Sequence, residues 1–457
     1  MNKKQFILEA PIMKVILTIS IPLMVSNLIQ TFYDLANALW LAKLGETPFA
    51  ATTFVNPVSM LFVAIGMGIY VAGAALLSQL IGQGKLEEAQ NKATHLFMMT
   101  LVLGFVVMII GYLMTPALIR LMGAKGDLLT YSIDYLQVSF LGFPFIALYF
   151  AFQAILGSQG YTRQLMVANG LSLILNIIMV PFFIFSEFEL LGIHFPGLSL
   201  GIRGAALATV IAKGVLLILG YVMVQRNSEV KPRFSFKLEK KSIKEILAIA
   251  APAITGQSGQ SAGFIILHAF IASYGVSTMA AFGLVNRITN LVMMPAMGVG
   301  ASLTSIVGQN LGAAQIPRIY EAFKKANVLN LVMTLVGVFF FFIFDYEIIT
   351  AFLSEEGSPE TIAKSLNYLY FLLPTIPLMG MFSIFQGVFQ GSGFTIYSMY
   401  MEIGRLWLVR LPLILIFRSF TDFGSTGIWF AMSFSNLVTI LFGYALYSRR
   451  RWVQGRI

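Results

Sequence analysis

A carboxylate stands inside an apolar stretch: Asp34, in QTFYDLANALWLAKLG at residues 30–45. Ser20, Asn27, Gln30, Asp34 and Asn37 follow one another at spacings of seven, three, four and three, which puts all five on one helix face. Such a stripe faces another helix or a wet cavity, because hydrocarbon offers polar groups no partners. An ionisable side chain at membrane depth is costly and is a functional candidate by default. An acid that gains and loses a proton there is what a proton-driven carrier requires. The competing reading is a structural acid, hydrogen-bonded to nearby amides or paired with a cation such as Lys213.

Other polar residues fall at helical spacing. Asn169, Ser172 and Asn176 lie at i, i+3 and i+7 before Pro181, and they read equally as interhelical hydrogen bonds or as cavity lining. Gln257 and Gln260 repeat part of the first stripe and, with Asn27, Gln30, Gln153, Thr209, Lys213 and His268, are polar candidates for a substrate cavity, while Tyr33 joins Asp34, Asn37 and Asn176 as a candidate for ion coupling. His268 reads first as a satisfied interior histidine. Glu402 and Arg405 are the charged candidates of the second half; three residues apart, they read as a self-contained ion pair. With 40 Phe and 23 Met, a cavity could hold flat cationic molecules by apolar and cation–π contact.

Enzyme motifs fail on context. Gly259-Gln260-Ser261-Ala262-Gly263 fits a nucleophile pattern but lacks the strand that must precede it. GQGKLEEA and GQNLGAAQ lack the Lys-Ser/Thr of a phosphate loop. The three histidines are scattered and cysteine is absent, which removes thiolate metal sites and disulfides. No catalytic residue, cofactor or bound metal is expected.

The elements that must position these residues follow from composition. The 457 residues are 58% hydrophobic and 11% charged, against about 25% charged in soluble domains. Twelve apolar blocks recur, near 14–41, 51–77, 92–115, 131–156, 164–186, 203–224, 246–272, 279–307, 321–344, 365–388, 395–417 and 425–447. Each is long enough to cross about 30 Å of hydrocarbon as a helix, and none alternates as a barrel strand would. The fold class expected is an all-α polytopic membrane protein of twelve transmembrane helices. With the N-terminus inside, the inner segments hold 20 Lys/Arg and the outer ones six, the asymmetry that sets both termini in the cytoplasm. The formal charge of +10 is therefore topology, and no nucleic-acid partner is expected.

Shifting the chain by 230 residues aligns it with itself. ILTISIP (16–22) meets ILAIAAP (246–252), and SQLIGQG (78–84) meets GQNLGAA (308–314). At 233, PFIALYFAFQ (144–153) meets PLMGMFSIFQ (377–386). Six spans per half make the repeats parallel, related by a pseudo-two-fold axis along the membrane normal. The expected organisation is a lobe at 1–224, a basic cytoplasmic linker at 225–245, and a second lobe with a basic tail at 246–457.

GMGIYVAGAALLSQLIGQG, FQAILGSQGYTR, NRITNLVMMPAMGVGASLTSIVGQNLGA and FQGVFQGSGFT carry a resemblance to the MATE (multidrug and toxic compound extrusion) transporters over essentially the whole length. That resemblance implies a two-lobe antiporter, working as a monomer in the plasma membrane, that exports small organic, often cationic, compounds in exchange for protons or sodium. A lipid-linked oligosaccharide flippase of related fold is the alternative. The proton-coupled branch of the family usually has aspartate where Asn37 stands, with tyrosine and asparagine kept here as Tyr33 and Asn176, and a second aspartate at Val180. The sodium-coupled branch has glutamate at Gln260. Asp34, one turn before the usual acid, is expected to have taken over ion coupling.

Overall fold

The computed structural model describes residues 3–190, 193–235, 237–353 and 358–455; Arg456, one of the basic tail residues, lies outside them. The first half runs α1 (Lys3–Glu9), α2 (Ile12–Leu44), α3 (Glu46–Gln83), α4 (Leu86–Leu121), α5 (Gly126–Leu141), α6 (Phe143–Ser158), α7 (Thr162–Ile184) and α8 (Gly201–Asn227). The second runs α9 (Lys240–Ala272), α10 (Val276–Gly312), α11 (Ile316–Ile343), α12 (Asp345–Phe352), α13 (Pro359–Leu372), α14 (Ile376–Gly391), α15 (Thr395–Ile403), α16 (Leu411–Phe420) and α17 (Ser425–Ser448). A π-helical segment at Gly404–Arg410 joins α15 to α16.

Among the described residues nine helices are long and apolar enough to cross a membrane, or ten if α5 and α6, bent by 45°, form one span. The other two expected spans are helical as well. One is α9, whose middle carries Gln257 and Gln260; the other is the α15–α16 rod, interrupted by the π segment with its two arginines. An element the periodicity did not announce is an antiparallel hairpin between α7 and α8, Glu187–Leu190 against Ile193–Pro196. Phe188 pairs with Phe195 across it, ring centres 5.5 Å apart.

The internal repeat survives as backbone geometry. Gly45 and Gly275, one repeat apart, both take positive φ before α3 and α10. Gly160 and Gly393 do so after α6 and α14. Gly84 ends α3 at φ 80°, and Ala314 holds the matching place after α10 at φ 57°. An alanine there clashes with its own carbonyl at a cost of roughly 1–2 kcal/mol. Ala314→Gly relieves that and loses part of the gain to unfolded-chain entropy, so a net stabilisation of about 0.5–1 kcal/mol is expected. Thermal melting in detergent checks it; an unchanged or lowered midpoint refutes it.

Two compact units are distinguished. One comprises Val25–Ala248 and the other Met1–Met24 with Ile249–Ile457. In the latter, Arg318 Nη2 donates to the carbonyls of Ile7 (3.0 Å) and Ala10 (2.8 Å), and Ile7, Ile12, Ile16 and Ile19 enter one core with Val299, Leu303 and Phe385. In the former, the segment after α8 is tied to the first turns of α4 and to the end of α6. Lys92 Nζ donates to Ser242 Oγ at 2.9 Å and pairs with Glu245. His95 accepts the Glu239 amide at Nε2 (3.0 Å) while Nδ1 donates to the Asn91 carbonyl (2.6 Å). Gln159 Oε1 accepts the Glu229 amide at 3.0 Å. One of the scattered histidines is thus consumed in structure.

Candidate functional site

In the Val25–Ala248 unit, α2 presents two different faces at neighbouring residues, since successive side chains on a helix diverge by about 100°. Tyr33 is buried, and Asp34 is exposed. The Asp34 carboxylate accepts one hydrogen bond, from Gln30 Nε2 at 2.9 Å, one turn earlier on the stripe. Lys213 of α8 lies within electrostatic reach of it. Its ammonium nevertheless sits 4.6 Å from the centre of the Tyr33 ring, in cation–π geometry. No ion pair joins Lys213 to Asp34 among the described residues. The acid is left with one neutral donor and an accessible oxygen, the arrangement a proton-exchanging group needs.

Around Tyr33 the structure gathers several of the sequence candidates. Thr209 and Asn37 flank its hydroxyl, yet neither makes a hydrogen bond of ordinary geometry with it. On α7 the three polar residues part company. Asn169 Oδ1 accepts the Tyr149 hydroxyl at 2.9 Å, and Ser172 Oγ donates to the Ala212 carbonyl at 3.3 Å. Both are interhelical ties. Asn176, one turn beyond Ser172, is fully buried with both amide atoms unpartnered. Buried amides are normally satisfied, so Asn176 is the member of this trio with hydrogen-bonding capacity unspent among the described residues. Val180, one turn further, sits in an apolar cluster with Leu41, Ile184, Ile202 and Ala205, which explains why no acid is accommodated there.

Asn27 and Gln153 are half-buried, and Ser20, though on the same sequence stripe, is buried in the other unit. In that second unit Gln257 and Gln260 are half-buried on α9. His268 differs from its expected interior place: it is exposed, its ring centre 5.2 Å from that of Phe282 in an edge-to-face arrangement. The cause is its position near the end of α9, where it turns away from the buried Leu267 and Ile271. The Gly-x-Ser-x-Gly stretch is a packing seam. Trp407 Nε1 donates to the Gly259 carbonyl at 2.8 Å, and Leu406 fills the place a side chain at Gly263 would need.

The expected Glu402–Arg405 pair is not formed; no ion pair involving either is found among the described residues. The π-helical winding that begins at Gly404 breaks the i, i+3 alignment on which that pairing depends. Glu402 instead takes a hydrogen bond from Gln386, and its other oxygen lies against Gly256. Arg405 stacks its guanidinium 4.5 Å from the Phe382 ring centre. Gln386 was missed as a site residue, although the repeat aligns it with Gln153, so the signal was present.

Long apolar helices in two units, a polar stripe bearing one acid, and charged side chains within the apolar spans have the character of a multi-pass membrane transporter. The MatE family model matches residues 22–182 and 252–416, and the chain belongs to that family. It is 26% identical over 433 residues to the probable multidrug resistance protein YoeA of Bacillus subtilis, covering 93% of this chain and 91% of that protein. It is 28% identical over 457 residues to a FAD transporter of Shewanella oneidensis, covering 98% and 96%. A crystal structure of a MATE protein in complex with MaL6 superposes with a TM-score of 0.90 at 27% identity, covering 99% of both chains. The solved members carry twelve helices in two lobes, the class the sequence led us to expect.

Proposed function

We propose that this protein is a secondary active exporter of organic, drug-sized compounds with a cationic centre, driven by protons entering through Asp34. It would reside in the plasma membrane with both termini in the cytoplasm and work as a monomer by alternating access. The observation that carries this reading is the state of Asp34: exposed and, among the described residues, hydrogen-bonded by Gln30 alone and not ion-paired with Lys213. A structural acid would be saturated with donors or locked to its cation. Asn37, Tyr33, Thr209 and the unpartnered Asn176 are the neutral groups that would respond when the acid changes charge. The relatives' names support organic cargo of drug size: one is called a multidrug resistance protein and one a FAD transporter.

Ethidium uptake into proteoliposomes loaded at acidic pH and diluted into alkaline buffer tests the reading. Uptake about tenfold above the pH-matched control is expected, since one pH unit supplies about 1.4 kcal/mol per proton. A sodium gradient at matched pH is expected to drive none. Uptake driven by sodium alone, or by neither gradient, overturns proton coupling.

A further inference from the structure

We propose that the unit containing Ile249–Ile457 holds a binding subsite for an anionic group of the cargo, a carboxylate or a phosphate, centred on Arg405. This deepens the exporter reading and rests on it: the exported molecule carries an acid group besides its cationic body.

The case starts from unmatched charge. Glu402, Arg405 and Arg410 lie within nine positions of one another and are 2%, 7% and 3% exposed. That is two cations for one carboxylate. Arg410 is saturated by neutral acceptors: its Nε donates to Ser435 Oγ at 2.9 Å and its Nη2 to Asn436 Oδ1 at 2.9 Å and the Met432 carbonyl at 3.4 Å. These satisfy its geometry and leave its charge uncompensated. Glu402 is turned to Gln386 and Gly256. Arg405 is therefore without an acceptor among the described residues, its Nε buried and unpartnered, with only the Phe382 ring against its face. A guanidinium in a low-dielectric interior with no acceptor and no ion-paired anion, Glu402 acting on it only through space, is a costly arrangement for a protein to keep. The planar fork of Arg matches a carboxylate or phosphate by two parallel hydrogen bonds.

The backbone presents this side chain deliberately. The π segment Gly404–Arg410 sits where an α-helix would have folded Arg405 back toward Glu402, and such insertions concentrate at functional sites. Trp407, bonded to the Gly259 carbonyl, pins the segment to α9. Depth excludes a lipid headgroup as the intended anion. Arg405 lies about 15 Å from Thr395 and about 22 Å from Phe420 along the helix axis, near the middle of about 30 Å of hydrocarbon. The anion must arrive as part of a cargo.

Norfloxacin, a zwitterion with a free carboxylate, and its methyl ester form a matched pair of fluorescent probes. Both are titrated against the full-length protein in phosphatidylcholine nanodiscs. The acid is expected to bind about tenfold tighter than the ester, about 1.4 kcal/mol. Arg405→Gln should remove that preference while leaving ester affinity within about twofold, and Arg405→Lys should keep part of it. Competition by benzoate and by phenyl phosphate separates a carboxylate site from a phosphate site. Repeating the titration with phosphatidylglycerol should change nothing; competition by that lipid would overturn the cargo assignment. Equal affinity of acid and ester in the unsubstituted protein, or parallel loss of both in a folded Arg405→Gln variant, overturns the proposal. If Arg405→Gln does not fold, the acid–ester difference and benzoate competition in the unsubstituted protein decide. Failure of the exporter reading is separate, because it would show as absent gradient-driven ethidium uptake while these equilibrium affinities remain measurable.

Discussion

Asp34→Asn is expected to abolish uptake driven by a pH gradient while leaving the protein folded. The substitution keeps the shape of the side chain and its place beside Gln30 Nε2, and removes the carboxylate of the Tyr33–Lys213 constellation to which proton exchange is assigned. Binding of cargo should persist within a few fold. Gradient-driven uptake should fall at least about tenfold, to the level of facilitated equilibration, because coupling needs a site whose charge differs between the two loading states. The readout is ethidium uptake with and without the pH gradient, compared at equal protein incorporation. Because Asp34 is exposed and has no ion-pair partner among the described residues, the change should cost little stability, under about 1 kcal/mol. If the variant responds to the gradient as the unsubstituted protein does, the coupling role assigned to Asp34 is wrong.

Gly387→Val is expected to be the most damaging single substitution for folding in the second unit. On α14, a side chain at Gly387 would run into the Gly300 carbonyl of α10, with the Leu303 Cβ at 2.9 Å. Gly300 returns the contact, since a Cβ there would lie 2.5 Å from the Ser383 carbonyl. Membrane helices have little hydrophobic drive to associate and rely on such close backbone approach. The obstacle is backbone rather than a side-chain end that could swing aside. A loss of about 3 kcal/mol or more follows from overpacking of this kind, seen as a fall in melting midpoint of about 6–12 °C or as absent expression. Gly283→Val is the control: nothing lies within 4 Å of its added Cβ, so a change under about 0.5 kcal/mol is expected. Equal behaviour of the two variants would show that the α10–α14 seam is not held by small residues.

The residues differ in how far their roles could be read in advance. The stripe at Asn27, Gln30, Asp34 and Asn37 was legible because polar residues in an apolar block stand out and the helical period is fixed. The three polar residues of α7 were legible as a face but not as roles. Only packing shows Asn169 and Ser172 tied to Tyr149 and Ala212 and Asn176 left open. Glu402 and Arg405 were misjudged for a definite reason. Pairing at three residues presumes α-helical winding, and nothing in GRLWLVR announces a π segment. The hairpin after α7 escaped because its strands are only four residues long and its alternation is too short to separate from a loop.

By itself the sequence determined that the chain is a bundle of membrane-crossing helices built twice over, with its basic residues gathered on one side. These are properties of hydropathy and charge counted along a chain, and hydrocarbon admits few solutions to them. Tertiary structure decided which charges meet. It set Lys213 on the Tyr33 ring rather than on Asp34, left Arg405 without an acceptor among the described residues, and packed Met1–Met24 with the later helices through Arg318. Such choices turn on a few ångströms between residues distant in the chain, where a single hydrogen bond outweighs any local preference.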